Sequence, residues 1–378
     1  MTTLRLCFIG PANNVTFRRW VEWFTARGHE TTVLTVEPTQ DTHHFRQIDL
    51  SCNFVGRKVG RIVSALRVAH VVRGLRPDVV HAHYLKGLAW GVSMVRFCPL
   101  VVTPWGNDVL EEQGAFKEWY SCFLTKKLLV SANIVALHSN YMESRIRGLL
   151  PNRMRVVRVG WGINLQAFKS GLDVETLRQR WNIDWDQPII FSPRLAQPFY
   201  RHDLVIRALS LIQRESPRAV LVISEQFPDF EYLCDLRKLV SDLKLDDHVR
   251  FIGSIPYSDM PLWMNLAHIM IMVPQSDGMP NTLWEAMACG ALPVLNRLPQ
   301  YAEIIEDGIN GLLVEPEPTD MARVMAHALA TPGLKANAGF RNRELVKTMA
   351  DQDQEMARME SWYERLRETW PEHVPIGG

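Results

Sequence analysis

Two carboxylates, Asp277 and Glu285, flank the loop and helix start in residues 274–293, PQSDGMPNTLWEAMACGALP. A polar turn through Gly278, Met279 and Pro280 leads into a helix start at Asn281-Thr282. Backbone N–H groups at such a start, those of Asn281, Thr282 and Leu283, have no partner within the helix and bind phosphate. An acid before the helix and another inside its first turns can then bracket a ligand whose phosphates lie on the helix end. Glu285 also stands three residues after Thr282, which is capping-box spacing. The same residues therefore also fit a plain capped helix in an α/β domain.

The flanking elements would place this turn at a strand end. Ile269 to Val273 is an apolar run that reads as a buried strand, Gly290 stops the helix, and Ala291 to Leu295 begins the next strand. The chain opens in the same style. A strand at Leu4–Ile9 is followed by a loop from Gly10 to Asn14. An amphipathic helix over Thr16–Arg27 carries Phe17, Trp20, Val21 and Phe24 on one stripe, and a strand follows at Thr31–Val36. No G-x-G-x-x-G is present, so no dinucleotide site is assigned. Asp78 to Tyr84 reads as a strand ending in His81 and His83, which share one side of an extended segment. The further ligands that a metal would need are not evident. Leu100 to Val109 is a strand running into a turn at Pro104–Gly106 that presents Asn107 and Asp108. These loops lie at carboxyl ends of parallel strands, where open α/β sheets place ligands. Further strands are expected at Ala132–His138, Met154–Val159, Ile189–Ser192, Ala219–Ser224 and Val249–Gly253, with helices at 230–243, 320–329 and 356–366. Asp184-Trp185-Asp186 has metal-binding D-x-D spacing, but it precedes its strand and reads as a surface turn.

Composition narrows the class. With 378 residues and 47% hydrophobic content, the chain suffices for two domains with full cores. Six cysteines without paired spacing suggest neither a zinc site nor a disulfide framework, and a reducing cytoplasm fits best. Met1 to Ile9 runs straight into a strand pattern rather than a signal peptide. No apolar run reaches the roughly 20 residues of a membrane-spanning helix. The net charge of +1 conceals an asymmetry: residues 1–163 hold 21 basic and 11 acidic side chains, the remainder 21 and 30. A basic front half suits a phosphorylated acceptor, a lipid surface or nucleic acid. Nucleic acid is set aside because no recognised motif accompanies the charge. Residues 57–76 carry Arg57, Lys58, Arg61, Arg67, Arg73 and Arg76 with no acid, and Val59, Ile62, Val63 and Leu66 fall at helical spacing. Residues 116–128 set Phe116, Trp119, Tyr120 and Phe123 beside Lys117, Lys126 and Lys127. Both segments could lie on an anionic membrane, or could be ordinary packed helices with solvated basic faces.

The stretch from Asp277 through Asn281 and Glu285-Ala-Met-Ala-Cys-Gly290 resembles the acidic signature of retaining glycosyltransferases of family 4. Asp277 stands where that family usually has Glu. The resemblance covers most of residues 4–366. At residues 104–108, Pro-Trp-Gly-Asn-Asp is similar to a subset of bacterial sugar-polymer transferases. Trp105 replaces the histidine of the usual His-Gly-x-Asp run. Gly160-Trp-Gly-Ile-Asn164 and Phe168 resemble the family's hinge, with Asn164 for Asp. Arg194 matches the family's phosphate-gripping Arg, but its companion Lys is missing, and Arg201 is the nearest cation.

The resemblance implies a GT-B fold: α/β, two facing Rossmann-like doubly wound domains with an interdomain cleft. The expected divisions are 1–165 for the acceptor, 166–355 for the donor, and 356–378 as a helix crossing back. It implies transfer from a nucleotide-sugar, UDP- or GDP-linked, to a glycan, glycolipid or small-molecule hydroxyl, with no metal or other cofactor. Asp277 and Arg194 would be catalytic. Arg201, Gly253, Gly278, Met279, Pro280, Asn281, Thr282, Leu283 and Glu285 would bind the donor. Gly10, Asn14, Arg18, His83, Trp105, Asn107 and Asp108 would face the acceptor. Other readings on the same fold are a sugar-nucleotide epimerase or hydrolase, and a non-catalytic nucleotide-sugar-binding subunit. The expected location is cytoplasmic, with peripheral contact to an anionic membrane open.

Overall fold

A computed structural model describes residues 2–40, 45–52, 57–110, 115–149 and 155–370; the side chains of 57–62, 107, 110 and 115–120 lie outside that description. The chain forms two compact units, one of residues 1–161 with 353–378 and one of residues 162–352.

Among the described residues the first unit holds seven parallel strands: β1 (Arg5–Ile9), β2 (Glu30–Thr35), β3 (Arg46–Asp49), β4 (Val79–His83), β5 (Leu100–Thr103), β6 (Ile134–Leu137) and β7 (Val156–Arg158), in the order β3-β2-β1-β4-β5-β6-β7. The second unit holds six: β8 (Ile189–Ser192), β9 (Val220–Ile223), β10 (Val249–Phe251), β11 (Ile269–Met272), β12 (Leu292–Asn296) and β13 (Leu312–Val314), in the order β10-β9-β8-β11-β12-β13. Each order reverses direction once, between β1 and β4 and between β8 and β11. Loops leaving the two strands at a reversal diverge and open a crevice at their carboxyl ends.

Sheets covered on both faces need strands that are apolar throughout, and these are. Along β1 the side chains alternate. Leu6 and Phe8 enter a core with Phe17, Trp20 and Phe24 of the helix Val15–Ala26. Cys7 and Ile9 enter the opposite core, with Val68 and Val72 of the helix Arg57–Leu75. Asn14 caps the first helix, accepting the Phe17 amide at 3.2 Å. On the helix Arg57–Leu75 the stripe differs from expectation. Ser64, Val68 and Val72 are buried, whereas Leu66 is 59% exposed. Ala65 lies against Gly91 of the helix Leu88–Val92, where any added Cβ would meet the Ala65 carbonyl. That contact turns the 64–68–72 row inward. The expected partners Val59 and Ile62 lie outside the described side chains, as do Arg57, Lys58, Arg61, Phe116, Lys117, Trp119 and Tyr120.

The helix Gln352–Thr369 closes the first unit. Met356, Met359, Tyr363 and Leu366 bury against the Phe8 face. Tyr363 Oη bonds His81 Nδ1, and Glu360 accepts from Arg27 Nε at 2.9 Å and pairs with His29 Nε2 at 2.7 Å. Burial alone would raise the Glu360 pKa, but the bonds from Arg27 and His29 outweigh it, and the net shift is downward from 4.5. A lowered carboxylate contributes stability above its unfolded pKa and loses it as pH falls through the folded value. Glu360→Gln is therefore expected to lower the melting temperature at pH 7. The difference from wild type should shrink as the pH falls below 4.5 and onward. A pH-independent difference in thermal melts would contradict this linkage.

Candidate active site

The reversal in the second unit brings together loops that are distant in sequence. The loop after β8 carries Arg194, and the loop after β11 carries Asp277. Their side chains pair at 3.2 Å, only 16% and 12% exposed. Two bonds fix the loops. The Gln275 amide donates to the Phe199 carbonyl at 3.0 Å, and Asn296 Nδ2, at the end of β12, donates to the Pro274 carbonyl at 2.8 Å.

Asp277 is held from several directions. Tyr301 Oη donates to Oδ2 at 3.0 Å, the Gly278 amide donates to Oδ1 at 2.8 Å, and Gln300 Nε2 holds the Asp277 carbonyl at 2.6 Å. Tyr301 is fully buried, and burial and then the Asp277 charge push its phenol well above the ordinary value, so it stays a donor. Arg194 stacks over the Tyr200 ring at 4.7 Å and donates to its hydroxyl at 3.3 Å. Burial works against the guanidinium charge, but Asp277 beside it more than offsets this and raises the pKa. Tyr200 belongs to the 3₁₀ turn Pro198–Tyr200, where the resemblance leads one to look for a lysine. An aromatic support for Arg194 occupies that place. Arg201 follows with a left-handed backbone, φ 54°, and is half-buried. His202, neutral because burial takes its pKa down to about 4, joins Ser192 Oγ at 2.9 Å to the Leu195 carbonyl at 2.9 Å and braces the Arg194 loop.

The helix after β11 runs Asn281–Cys289 and ends at Gly290 with φ 84°. Its start corrects the capping-box expectation. Pro280 occupies the cap and makes no side-chain bond, so Thr282 lies inside the first turn. Glu285, 4% exposed, instead accepts from Tyr257 Oη at 2.8 Å. The Leu283 amide donates to the Pro280 carbonyl at 3.1 Å, so it is engaged, and the Leu283 side chain is core. Asn281 and Thr282 remain half-buried at the helix start, behind buried Gly278, Met279 and Pro280. Gly253, φ 72°, takes a backbone conformation suited to glycine, and its carbonyl accepts the Glu225 amide at 2.8 Å.

In the first unit, Gly10 leaves room for the Phe17 ring, which an added Cβ would approach to 2.6 Å. Arg18 reaches Thr39 Oγ1 at 3.4 Å. Asp108 is buried and accepts the amides of Leu85, Trp105 and Gly106 at 2.7, 3.0 and 2.9 Å. It braces two strand-end loops, and burial raises its pKa despite those bonds. The side chain of Asn107 lies outside the described residues. His83 is 1% exposed, beneath Trp20 and Trp161, rather than lining a surface. No cluster of three metal-ligating side chains occurs among the described residues. Asp184 and Asp186 pair with Arg218 in an exposed turn. Tyr200, Tyr257, Gln300 and Tyr301 were not foreseen. Strand order brings Tyr257, Gln300 and Tyr301 to the two acidic residues, whereas Tyr200 supports Arg194 from within the same loop.

Two parallel-sheet Rossmann-like units in one chain are the GT-B class of fold. Solved structures agree. A glycosyltransferase from Rickettsia africae matches with TM-score 0.81 at 17% identity, covering 98% of this chain and 100% of that one. HepE from Anabaena, in complex with UDP and glucose, matches with TM-score 0.81 at 16% identity, covering 96% and 100%. Residues 173–345 match the family of glycosyl transferases group 1, and residues 13–162 match the glycosyl transferase 4-like domain. The chain belongs to the GT-B glycosyltransferases of the family-4 type. A GDP-mannose-dependent α-(1-6)-phosphatidylinositol monomannoside mannosyltransferase of Mycolicibacterium smegmatis is 26% identical over 56% of this chain and 57% of its own length. A D-inositol 3-phosphate glycosyltransferase of Streptomyces avermitilis is 26% identical over 70% and 61%. The chain thus spans somewhat under two thirds of these two relatives. A GDP-mannose:cellobiosyl-diphosphopolyprenol α-mannosyltransferase of Xanthomonas campestris is 23% identical over 84% and 80%.

Proposed function

We propose that this chain transfers a sugar from a nucleotide-sugar, UDP- or GDP-linked, to a hydroxyl of a glycan, glycolipid or small-molecule acceptor, with retained anomeric configuration and without a metal. The observation that carries the reading is the Arg194–Asp277 pair at the sheet reversal, beside the helix start at Asn281. In this reading the bond from the anomeric carbon to the phosphate oxygen breaks, and its electron pair stays on the diphosphate. Arg194, Arg201 and the Asn281–Thr282 amides stabilise that charge. Asp277 faces the positive charge developing on the sugar. The acceptor oxygen bonds to the anomeric carbon on the face being vacated and passes its proton to the leaving phosphate. Glu285, steadied by Tyr257, holds the ribose hydroxyls. GDP-mannose use by two relatives and the UDP complex of HepE support a nucleotide-sugar donor.

The test is a product assay with UDP-, GDP- and ADP-sugars against membrane extracts, with and without EDTA. Transfer that survives EDTA and keeps the donor's anomeric configuration is expected. Tight donor binding without turnover would instead favour a non-catalytic subunit, and binding of no nucleotide-sugar would remove the reading. Losing a bond to a charged group costs about 1.5–3 kcal/mol. Glu285→Gln should therefore raise the donor KM about 10- to 100-fold with little change in kcat. An unchanged KM would remove Glu285 from the ribose.

Peripheral contact with anionic membrane belongs to the same proposal. On the helix Ala115–Ser131, Phe123 (55% exposed), Lys126, Lys127 and Val130 (70% exposed) share one solvent-facing stripe, and Leu66 and Arg67 are likewise exposed. No helix among the described residues is long and apolar enough to cross a membrane. Co-sedimentation with phosphatidylglycerol vesicles should weaken on Phe123→Ser with Lys126→Glu. Equal sedimentation of the variant would refute the contact.

A further inference from the structure

Three basic side chains gather at the amino edge of the second unit's sheet, the edge opposite the Arg194 and Asp277 loops. His268 directly precedes β11, and its backbone ties the starts of two neighbouring strands. Its amide donates to the Ile189 carbonyl at 2.8 Å, and its carbonyl accepts the Leu292 amide at 3.1 Å. Its ring Nδ1 accepts the Ile189 amide at 3.0 Å, so Nε2 carries the ring proton and is the donor. Lys335 stands in the first turn of the helix Pro332–Met349, and its Nζ donates to the carbonyl of Ala267, the residue before His268, at 2.9 Å. Arg178 belongs to the helix Glu175–Trp181 and is 7% exposed. Its Nη1 donates to the Asp184 carbonyl, and its guanidinium carbon lies 4.8 Å from the centre of the Trp185 ring.

The three lie close enough for their charges to act on one another. Burial and then Arg178 take the Lys335 pKa down to about 8, and burial, then Lys335 and Arg178, take that of His268 to about 4. Burial also lowers Arg178, outweighing Glu175 one turn back. Among the described residues no carboxylate forms an ion pair with any of the three. Asp184 and Asp186 pair with Arg218 instead. Glu175 accepts from Gln179 through Oε1 at 2.6 Å, while its Oε2 and Arg178 Nε are each buried without a partner, so the two do not satisfy each other. Two observations then point to a ligand. The first is that orphaned Nε, in a side chain more than nine-tenths covered, since buried polar groups are nearly always paired. The second is the helix start at Pro332. Its first turn holds no acid but a lysine, and Thr331 at the cap makes no side-chain bond. The helix dipole opposes a cation at this end, whereas an anion beside Lys335 answers both charges. Gly333 in the same turn has nothing within 4 Å of an added Cβ, which leaves the approach open.

We propose that Arg178, His268 and Lys335 bind a small oxyanion, free phosphate or the phosphate head of an ester, at the amino edge of the second unit's sheet. Arg178 Nε, Lys335 Nζ and His268 Nε2 donate to its oxygens as charge-assisted bonds. The anion joins the helix Glu175–Trp181, the starts of β8 and β11, and the helix Pro332–Met349. It is separate from the phosphates of a sugar donor, whose proposed place is at Arg194 on the opposite edge. The site does not depend on the transferase reading and would stand in a chain that transfers no sugar.

The experiment uses the full chain with inorganic phosphate, and sodium chloride at matched ionic strength as the control. Calorimetry gives the affinity, and NMR of labelled histidine rings gives the place, with the His268 signal assigned through His268→Asn. Phosphate should bind and move the His268 signal. Lys335→Met, which keeps the stem of a half-buried side chain, should weaken phosphate about 10- to 100-fold, the loss of one bond to a charged group. Lys335→Arg, which keeps the charge, should retain most of the affinity, and thermal melts of both variants guard against misfolding. Affinity for UDP or GDP should stay unchanged in both. Arg194→Gln separates the two edges, because the His268 response to phosphate should survive it. Glycerol 3-phosphate separates the two sources. Binding of both compounds makes the ligand the head of an ester, and binding of inorganic phosphate alone makes it the free ion. A His268 signal unmoved by phosphate, binding unchanged in Lys335→Met, or binding lost in Arg194→Gln instead would each overturn the site.

Discussion

Asp277→Ala should abolish measurable transfer, lowering kcat by about 10²- to 10³-fold, the usual cost of deleting one group that meets transition-state charge. The structure adds a complication that the experiment must separate. The Asp277 carboxylate is also the charge partner of Arg194. Removing one member of a largely buried pair leaves the other uncompensated, at a cost of about 3–5 kcal/mol. A dead variant that is also destabilised would say little about chemistry. Asp277→Asn keeps the shape and can still accept from Tyr301, so it should melt closer to wild type while still losing most of its kcat. Thermal melts beside steady-state kinetics make the distinction. Asp277→Asn at full kcat would show that the charge serves only to hold Arg194. Tyr301→Phe is a milder companion, because it removes one of the bonds to Oδ2 and leaves the carboxylate and its Arg194 partner in place. Its effect should fall on kcat rather than on the donor KM.

The second large effect is on stability. Gly91→Ala places a Cβ 1.9 Å from the Ala65 carbonyl oxygen and 2.7 Å from its carbon. Both sides of this contact are backbone, so no side chain can rotate away, and the two helices must separate. Overpacking of this kind costs about 3 kcal/mol. For a domain of this size that is a fall of roughly 6–12 °C in the transition of the first unit. Gly148→Ala is the control. It also lies in a helix, but an added methyl meets nothing within 4 Å, and it should be neutral or stabilising by up to about 1 kcal/mol. Equal melting of the two variants would mean that the close approach at Ala65 relaxes freely.

Much of this molecule was readable from residue order because most of its signals are local. Apolar runs such as Ile269–Val273 have one comfortable home, a buried parallel strand, and Gly290 stops its helix for a reason intrinsic to glycine. The acids were legible for the same reason, since Asp277 and Glu285 sit on either side of one turn. What surrounds them was not. Tyr301 reaches Asp277 because β12 lies beside β11, and Tyr257 reaches Glu285 from the loop after β10. Those are facts about strand order, which no short window contains. The helix Pro332–Met349 also escaped notice: its polar residues and Gly333 and Gly339 blur the apolar period, and only its packing on the helix Asn281–Cys289 settles it. The capping box failed because the cap falls at Pro280, two residues earlier than the Thr282 pattern suggests.

The helix Gln352–Thr369 belongs to the first unit although some 190 residues of the second unit are synthesised before it. A ribosome adding about 5–20 residues per second needs roughly 10–40 s to cover that distance. Throughout that interval the nascent first unit has its strands and its own leading helix. The apolar face around Phe8 and Phe24 still waits for Met356, Met359 and Tyr363, and His81 waits for its phenol. The second unit has every segment it needs by Gln352, its two ends joined by the Ile163–Asp351 bridge. The half of the protein made first is thus the half completed last, and during synthesis it presents the open surface that chaperones recognise.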